Sequence, residues 1–383
     1  MEQTDRASKT PLKIDWVNTL FLTLTPVFMV VFLIAHFQLE TFHYGLLILF
    51  FVLYVATGLA ITGGYHRLIS HKAYKANKGV KFLYLVFGAA TFQNSALKWA
   101  TDHRRHHRHV DEDTDPYNIS KGFWWAHIGW IFFADESRYL SYPQDLLDDK
   151  LVMWQHKYYL PIAISVGFGL PLFIGYLLNA PLGGLAFGAL LRIVVVHHCT
   201  FFINSLCHFV GSRTYTDKNS ARDSMVMALF TFGEGYHNYH HRFQMDYRNG
   251  IRWYHFDPTK WLINLLAYFG MAGKLKTVPE SEILRARMTM EEKRLKGRIN
   301  LIPKTFELPN MDKLKIRVEE AQAKFQTLKL EYQRMKHEFP HAGREKFEEL
   351  KTKIKLAKVE FKIARAQWNA YFRFICSAPH PMA

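Results

Sequence analysis

Residues 44–71 read YGLLILFFVLYVATGLAITGGYHRLISH. From 44 to 64 there is no charged side chain. A hydrocarbon core about 30 Å thick takes roughly 20 mostly apolar residues to cross as a helix, so this stretch is long enough to span a membrane. At its far end His66, Arg67 and His71 arrive together. An apolar span that terminates in imidazoles frames the reading of everything else in the chain.

Three further stretches have the length and apolarity of a span, at about residues 16–35, 158–178 and 184–207. A shorter apolar run at 80–92 reads as an interfacial helix rather than a span. The mean hydropathy of −0.10 averages two unlike parts, because residues from about 280 onward are charged and have no long apolar run. The aromatic content of 15% fits a membrane protein, where amphipathic rings gather at the interfaces. Residues 1–15 are polar, and the apolar run that follows is too long for a signal h-region, so no cleavable signal peptide is expected. The links at 37–43 and 179–183 contain no Lys or Arg, whereas the N-terminus, residues 65–157 and everything after 208 are rich in both. By the positive-inside rule those three regions are cytoplasmic. The net charge of +16 thus tracks membrane sidedness, and no nucleic-acid partner is expected. The three cysteines, Cys199, Cys207 and Cys376, match no disulfide framework or zinc spacing.

The histidines carry the chemistry. His103-Arg104-Arg105-His106-His107 and His237-Asn238-Tyr239-His240-His241 place imidazoles at i, i+3 and i+4, which share one helix face. His66 and His71 are five apart, and at about 100° per residue they sit roughly 140° apart on a regular helix. They converge only where the helix ends or distorts. His208 closes the run Asn204-Ser205-Leu206-Cys207-His208 at the end of the fourth apolar stretch. Imidazole ligates Fe, Zn, Cu and Ni alike. These nine rings exceed the roughly four to six ligands that one ion takes, so two metals are expected. A metal pair beside a dry helical bundle suits oxidation of an unactivated alkyl chain, which needs a strong oxidant and exclusion of water. His36, His43, His109, His127, His156 and His255 are expected to be ordinary polar side chains. The acidic run Asp111, Glu112, Asp113 and Asp115 reads as a solvated or structural turn before Pro116.

At these boxes the sequence resembles the membrane fatty-acid desaturases, in the stearoyl-CoA (acyl-CoA Δ9) branch. The resemblance covers about residues 50–260, on GGYHRLISHKAYKA, FQNSALKWATDHRRHHRHVDEDTDPYN, GFWWAHIGW, NSLCH and GEGYHNYHH. It implies that His66, His71, His103, His106, His107, His208, His237, His240 and His241 bind two irons, with Asn204 reaching one of them through a water and O2 as co-substrate. It implies that Gln93, Trp99 and Thr200 line the bend of a substrate tunnel, with Asn94 and Asp102 toward the acyl carrier. Tyr54 and Gly58, one turn apart, would close the far end and limit chain length. The sequence departs from the animal acyl-CoA enzymes at Thr101, Phe201 and Ser120-Lys121, positions that the resemblance assigns to the coenzyme A contact surface. A membrane hydroxylase would use a similar site, a lipid-linked acyl desaturase would change only the carrier, and a histidine-rich metal transporter would put its ligands at mid-membrane. No HPGG haem motif of a fused cytochrome b5 and no flavin or nicotinamide motif is present. Electrons are therefore expected from a separate donor, a ferredoxin, a flavoprotein reductase or cytochrome b5, and a bacterial inner membrane is the expected location.

The expected fold is an all-α integral membrane protein: four transmembrane helices under a helical cytoplasmic cap that carries the dimetal site. Residues 1–15 form a cytoplasmic segment, 16–275 the transmembrane and catalytic domain, and 276–383 a charged helical tail. Arg192 lies inside the fourth stretch, where a charge is costly in lipid, and is expected to face the protein interior. In the tail, Leu314, Val318, Ala321, Phe325, Leu328 and Tyr332 step by four and three. So do Phe347, Leu350, Ile354, Ala357, Phe361, Ala364 and Trp368, with the breaker Phe339-Pro340-His341-Ala342-Gly343 between. This predicts an antiparallel helical hairpin or coiled coil.

Overall fold

A computed structural model describes residues 13–134, 141–299, 308–338 and 344–377. The first twelve residues and the breaker at 339–343 lie outside them. The chain divides into two compact units: one runs to Arg213 and resumes from Asp217 to Thr277, and the other holds Thr214–Thr216 and everything from Val278.

In the first unit four helices are long and apolar enough to cross a membrane: Trp16–Leu39, Gly45–Ser70, Tyr159–Leu177 and Pro181–Phe209. Asp15 caps the first, accepting the Asn18 N–H at 3.0 Å. Together the four form two hairpins, tied at their tight turns by one side chain. Glu40, just past the first span, accepts the N–H groups of Leu182 (2.8 Å) and Gly183 (2.9 Å) and pairs with the buried His36 ring at 2.8 Å. Both turns therefore lie at one end of the bundle, and Ser70 and Phe209 at the other. Burial pushes the Glu40 carboxyl up, but the bonds from His36, Leu182 and Gly183 outweigh it and leave it below the usual range. Glu40→Ala orphans these donors, at about 1–3 kcal/mol for a buried group. The expected outcome is a clearly lowered Tm in detergent with the histidine boxes untouched; an unchanged Tm would contradict the tie.

The second span runs six residues beyond the expected boundary because its last turns change helix type. Ala60–Ser70 forms i→i+5 bonds, a π-helical geometry that is rare and concentrated at functional sites. Similar stretches occur at Ser165–Gly169 and Gly184–Leu191. Arg192 is buried, as expected, and its role is structural. Its guanidinium donates to the carbonyls of Gly188 (3.1 Å), Ala90 (2.6 Å) and Gly167 (3.1 Å), stitching the fourth span to the third and to the end of the helix Lys78–Ala89. The third and fourth spans touch through backbone: a Cβ on Gly184 would meet the Pro171 carbonyl at 2.4 Å. Small residues permit such contact between membrane helices.

The second unit has one more helix than the hairpin read from sequence. Met311–Glu338 and Arg344–Ser377 are antiparallel, with Lys324 paired to Glu360 at 2.8 Å and the Tyr332 and Phe347 rings 5.9 Å apart. Glu280–Arg298 packs alongside them, with Met288 and Leu295 in one core with Val318, Ala364 and Trp368. Inside that core Glu291 accepts the Trp368 indole N–H at 2.7 Å and takes the Arg365 guanidinium at 3.0 Å on both oxygens.

Candidate metal centre

The switch to i→i+5 bonding resolves the spacing of His66 and His71. The His71 N–H bonds to the His66 carbonyl at 3.1 Å, and the two rings stand 4.8 Å apart. His103, His106 and His107 come from the helix Ala96–Arg108, whose N-terminus Ser95 caps. His237, His240 and His241 come from the short helix His237–Arg242, and His208 from the end of the fourth span.

These elements gather the nine predicted histidines into two groups. One holds His66, His71, His103, His107 and His240; the other holds His106, His208, His237 and His241. Within each group the candidate ligand atoms all lie within 4.8 Å of one another. His240 Nε2 is 3.0 Å from both His66 Nε2 and His107 Nε2, and His237 Nε2 is 3.0 Å from both His208 Nε2 and His241 Nε2.

The opposite edges of several rings are held by groups that the sequence reading did not assign to the site. Asp115 Oδ1 sits 2.9 Å from His106 Nδ1, and Glu234 Oε2 sits 2.9 Å from His66 Nδ1. The Ser220 hydroxyl is 2.7 Å from His208 Nδ1 and is itself fixed by Asp111 at 2.5 Å. A carboxylate at Nδ1 keeps the proton there and turns the Nε2 lone pair inward. Lone pairs that converge at about 3 Å repel unless a cation lies among them, and neutral imidazole is the form that ligates. Burial, then the neighbouring rings and cations, pushes His71, His103, His107, His240 and His241 well below the usual imidazole range. Burial takes His237 down to about 3. The donor set thus fits two metal ions.

Glu234 is anchored in turn. Arg67 grips it at 2.9 Å and reaches Asp257 at 3.0 Å, and the Asn249 amide donates to it at 2.6 Å. Burial alone would raise the Glu234 carboxyl, but Arg67 and His66 overcome this and hold it down to about 2. The acidic turn therefore splits: Glu112 and Asp113 are exposed, whereas Asp111 and Asp115 position rings. Of the six histidines read as ordinary, His127 is buried between Ser205 Oγ (3.0 Å) and His198 Nδ1 (3.1 Å), and His255 stacks on Tyr236 with centroids 4.5 Å apart.

One cavity of about 520 Å³ adjoins both groups, touching His66 and His103 of one and His106 and His237 of the other. The structure brings Tyr54, Gly58, Gln93, Asn94, Trp99, Asp102, Thr200 and Asn204 onto its wall. Trp99 stacks on His103 with centroids 4.9 Å apart, and the Gln93 amide donates to the Thr200 hydroxyl at 3.0 Å. Asn94 has φ +74° and its N–H donates to the Tyr159 hydroxyl at 3.2 Å. Tyr54 donates to the Phe230 carbonyl at 2.8 Å. Phe232, which the sequence reading missed, lines the same wall; a Cβ on Gly58 would lie 2.1 Å from its ring. Thr101 and Phe201 are buried, so of the departing positions only Ser120 and Lys121 are open to solvent.

Comparison with known proteins agrees with this geometry. The Fatty acid desaturase family model matches residues 42–272. The chain therefore belongs to the fatty acid desaturase family, and with its four spans it is a multi-pass membrane protein. It is 45% identical over 272 residues to the probable acyl-CoA desaturase of Schizosaccharomyces pombe, covering 70% of this chain and 57% of that protein. It is 40% identical to acyl-CoA desaturase 1 of Saccharomyces cerevisiae, covering 69% and 53%. The sn-1 stearoyl-lipid 9-desaturase of Anabaena variabilis is 34% identical, covering 72% of this chain and 99% of that protein. The chain thus spans little more than half the length of the two yeast relatives.

Proposed function

We propose that this chain is an acyl-CoA desaturase that places a cis double bond, at Δ9, in a long acyl chain. The observation that carries the reading is the cavity: at about 520 Å³ it has apolar side chains such as Ile61, Phe92, Val196 and Phe232 on its wall together with imidazoles of both groups. The reaction balances as –CH2–CH2– plus O2, two electrons and two protons giving a cis alkene and two waters. Two irons held by the nine histidines, with Asn204 acting through a water, would supply the O2 chemistry that removes one hydrogen from each of two adjacent methylenes.

The chain's own residues supply the rest. Asp115 and Glu234 hold two rings so that Nε2 faces inward. Apolar walls exclude water from the reacting methylenes. The Gln93–Thr200 bond and Trp99 fix the bend that selects which methylenes lie nearest the imidazoles. Asn94 and Asp102 face the carrier end, with Ser120 and Lys121 as the solvent-facing contacts for a phosphate-bearing carrier. Two electrons come from a redox protein, a ferredoxin, a flavoprotein or cytochrome b5, docking on the side where Ser70 and Phe209 emerge. The turns at the other end lack Lys and Arg, which supports a cytoplasmic site. The relatives include two yeast proteins and one from Anabaena variabilis, so they do not select the expected bacterial inner membrane over another membrane.

Expression in a host unable to make unsaturated fatty acids, with mass spectrometry of derivatised lipids, tests the reading. A cis-9 alkene is expected; an alcohol would place the protein among hydroxylases. Turnover of acyl-CoA by purified protein supplied with reductant separates this substrate from a lipid-linked chain. Gly58→Leu pushes Phe232 into the far end of the cavity, so a shift toward shorter products by two or more carbons is expected. An unchanged product profile would remove Gly58 from the chain-length wall.

A further inference from the structure

The helix Arg344–Ser377 buries one face, along Leu350, Ala357, Ala364 and Trp368, in the three-helix core. A second, outward face is also apolar. Leu356, Val359, Ile363 and Phe374 are 61%, 47%, 48% and 46% exposed, and Ala366 and Ala370 continue the line between them. These positions step by three and four, so at about 100° per residue they form one stripe roughly 130° around the helix from the core. At about 1.5 Å per residue the stripe is roughly 27 Å long. Along one flank run Lys355, Lys358 and Lys362, about one turn apart, with Arg373 three turns further on, all exposed. Nothing in hairpin packing calls for this outer stripe, and scattered apolar surface residues do not align over several turns.

We propose that this outer face lies on an anionic lipid bilayer surface, its apolar side chains at the acyl boundary and its basic row among the headgroups. An exposed apolar stripe flanked by Lys and Arg is the pattern of helices that lie in the interfacial plane. Charge decides between occupants. A second copy would have to bring a similar basic row toward this one, whereas an anionic leaflet neutralises it. The chain also carries four spans of its own, so this helix is tethered near a bilayer at high effective concentration and needs only weak intrinsic affinity.

The test uses the full chain reconstituted in vesicles, with a photoreactive p-benzoylphenylalanine replacing Ile363 and mass analysis of the adducts. In phosphatidylcholine with about 30 mol% phosphatidylglycerol, a lipid adduct is expected. It falls at least tenfold in phosphatidylcholine alone, and also when Lys355→Gln, Lys358→Gln and Lys362→Gln are combined, since each lysine contributes about fivefold. These lysines are exposed, so the bundle's thermal unfolding stays unchanged and separates lost docking from lost folding. The same probe replacing Ile48, exposed on the second span, gives a lipid adduct in every vesicle and shows that capture works. Crosslinked chain dimers at Ile363 would assign the face to a second copy and overturn the proposal. So would adducts insensitive to phosphatidylglycerol, or no adduct at Ile363 while Ile48 is captured.

Discussion

His106→Ala is expected to abolish alkene formation, by roughly three orders of magnitude or more, while the protein still inserts into the membrane and its helical content holds. His106 is one of four rings in the second group, and its loss leaves three neutral imidazoles. Asp115 would lose the ring that it orients, although the Asp111 and Tyr117 N–H groups still reach it at 3.1 and 3.2 Å. The fold is therefore expected to survive what the chemistry does not. Asp115→Asn is a milder lesion: the ring stays, its tautomer is no longer enforced, and about 10- to 100-fold in metal affinity is lost. Metal content and product yield measured on the same preparations check both. Full activity in His106→Ala would take that residue out of the site.

Arg67→Ala is expected to act on folding itself. Arg67 is 1% exposed and bridges Glu234 and Asp257, and it also donates to the Tyr247 carbonyl at 2.8 Å. Removing it leaves two buried carboxylates without their counter-charge, although Asn249 still donates to Glu234 and backbone N–H groups to Asp257. Breaking such a buried pair costs about 3–5 kcal/mol. Glu234 would then favour its protonated form and release its hold on His66. Arg67→Lys should recover little, because an ammonium cannot reproduce a planar fork that serves two carboxylates and a carbonyl at once. Thermal unfolding in detergent checks this: a Tm within a degree or two of wild type for Arg67→Ala would show that the bridge is dispensable.

The four spans and the nine histidines were legible because each rests on local pattern: an apolar run long enough for a bilayer, and imidazoles three, four or five residues apart. Even the awkward five-residue spacing of His66 and His71 announced a distorted helix, though not that the distortion would take the form of i→i+5 bonds. The groups that aim the rings were not legible. Glu234 meets His66 from more than 160 residues away, and Ser220 meets Asp111 from more than 100. No local period encodes such meetings, and an isolated Asp or Ser looks like any other turn residue. Glu40 hid for the same reason, its partners lying in the opposite hairpin turn. In the tail, Glu280–Arg298 escaped notice because a buried glutamate, Glu291, interrupts its apolar stripe. The outer stripe of Arg344–Ser377 was overlooked because the inner stripe already explained the helix.

The claim on which the rest depends is that the histidines form two metal sites rather than one crowded site. Metal per chain, measured by inductively coupled plasma mass spectrometry on protein purified without chelators and paired with Mössbauer spectroscopy of iron-57-loaded protein, tests it most directly. Two irons per chain are expected, falling to one or fewer in His237→Ala, which removes a ligand from the four-histidine group alone. A single metal per chain in a fully active preparation, or zinc in place of iron, would contradict the account.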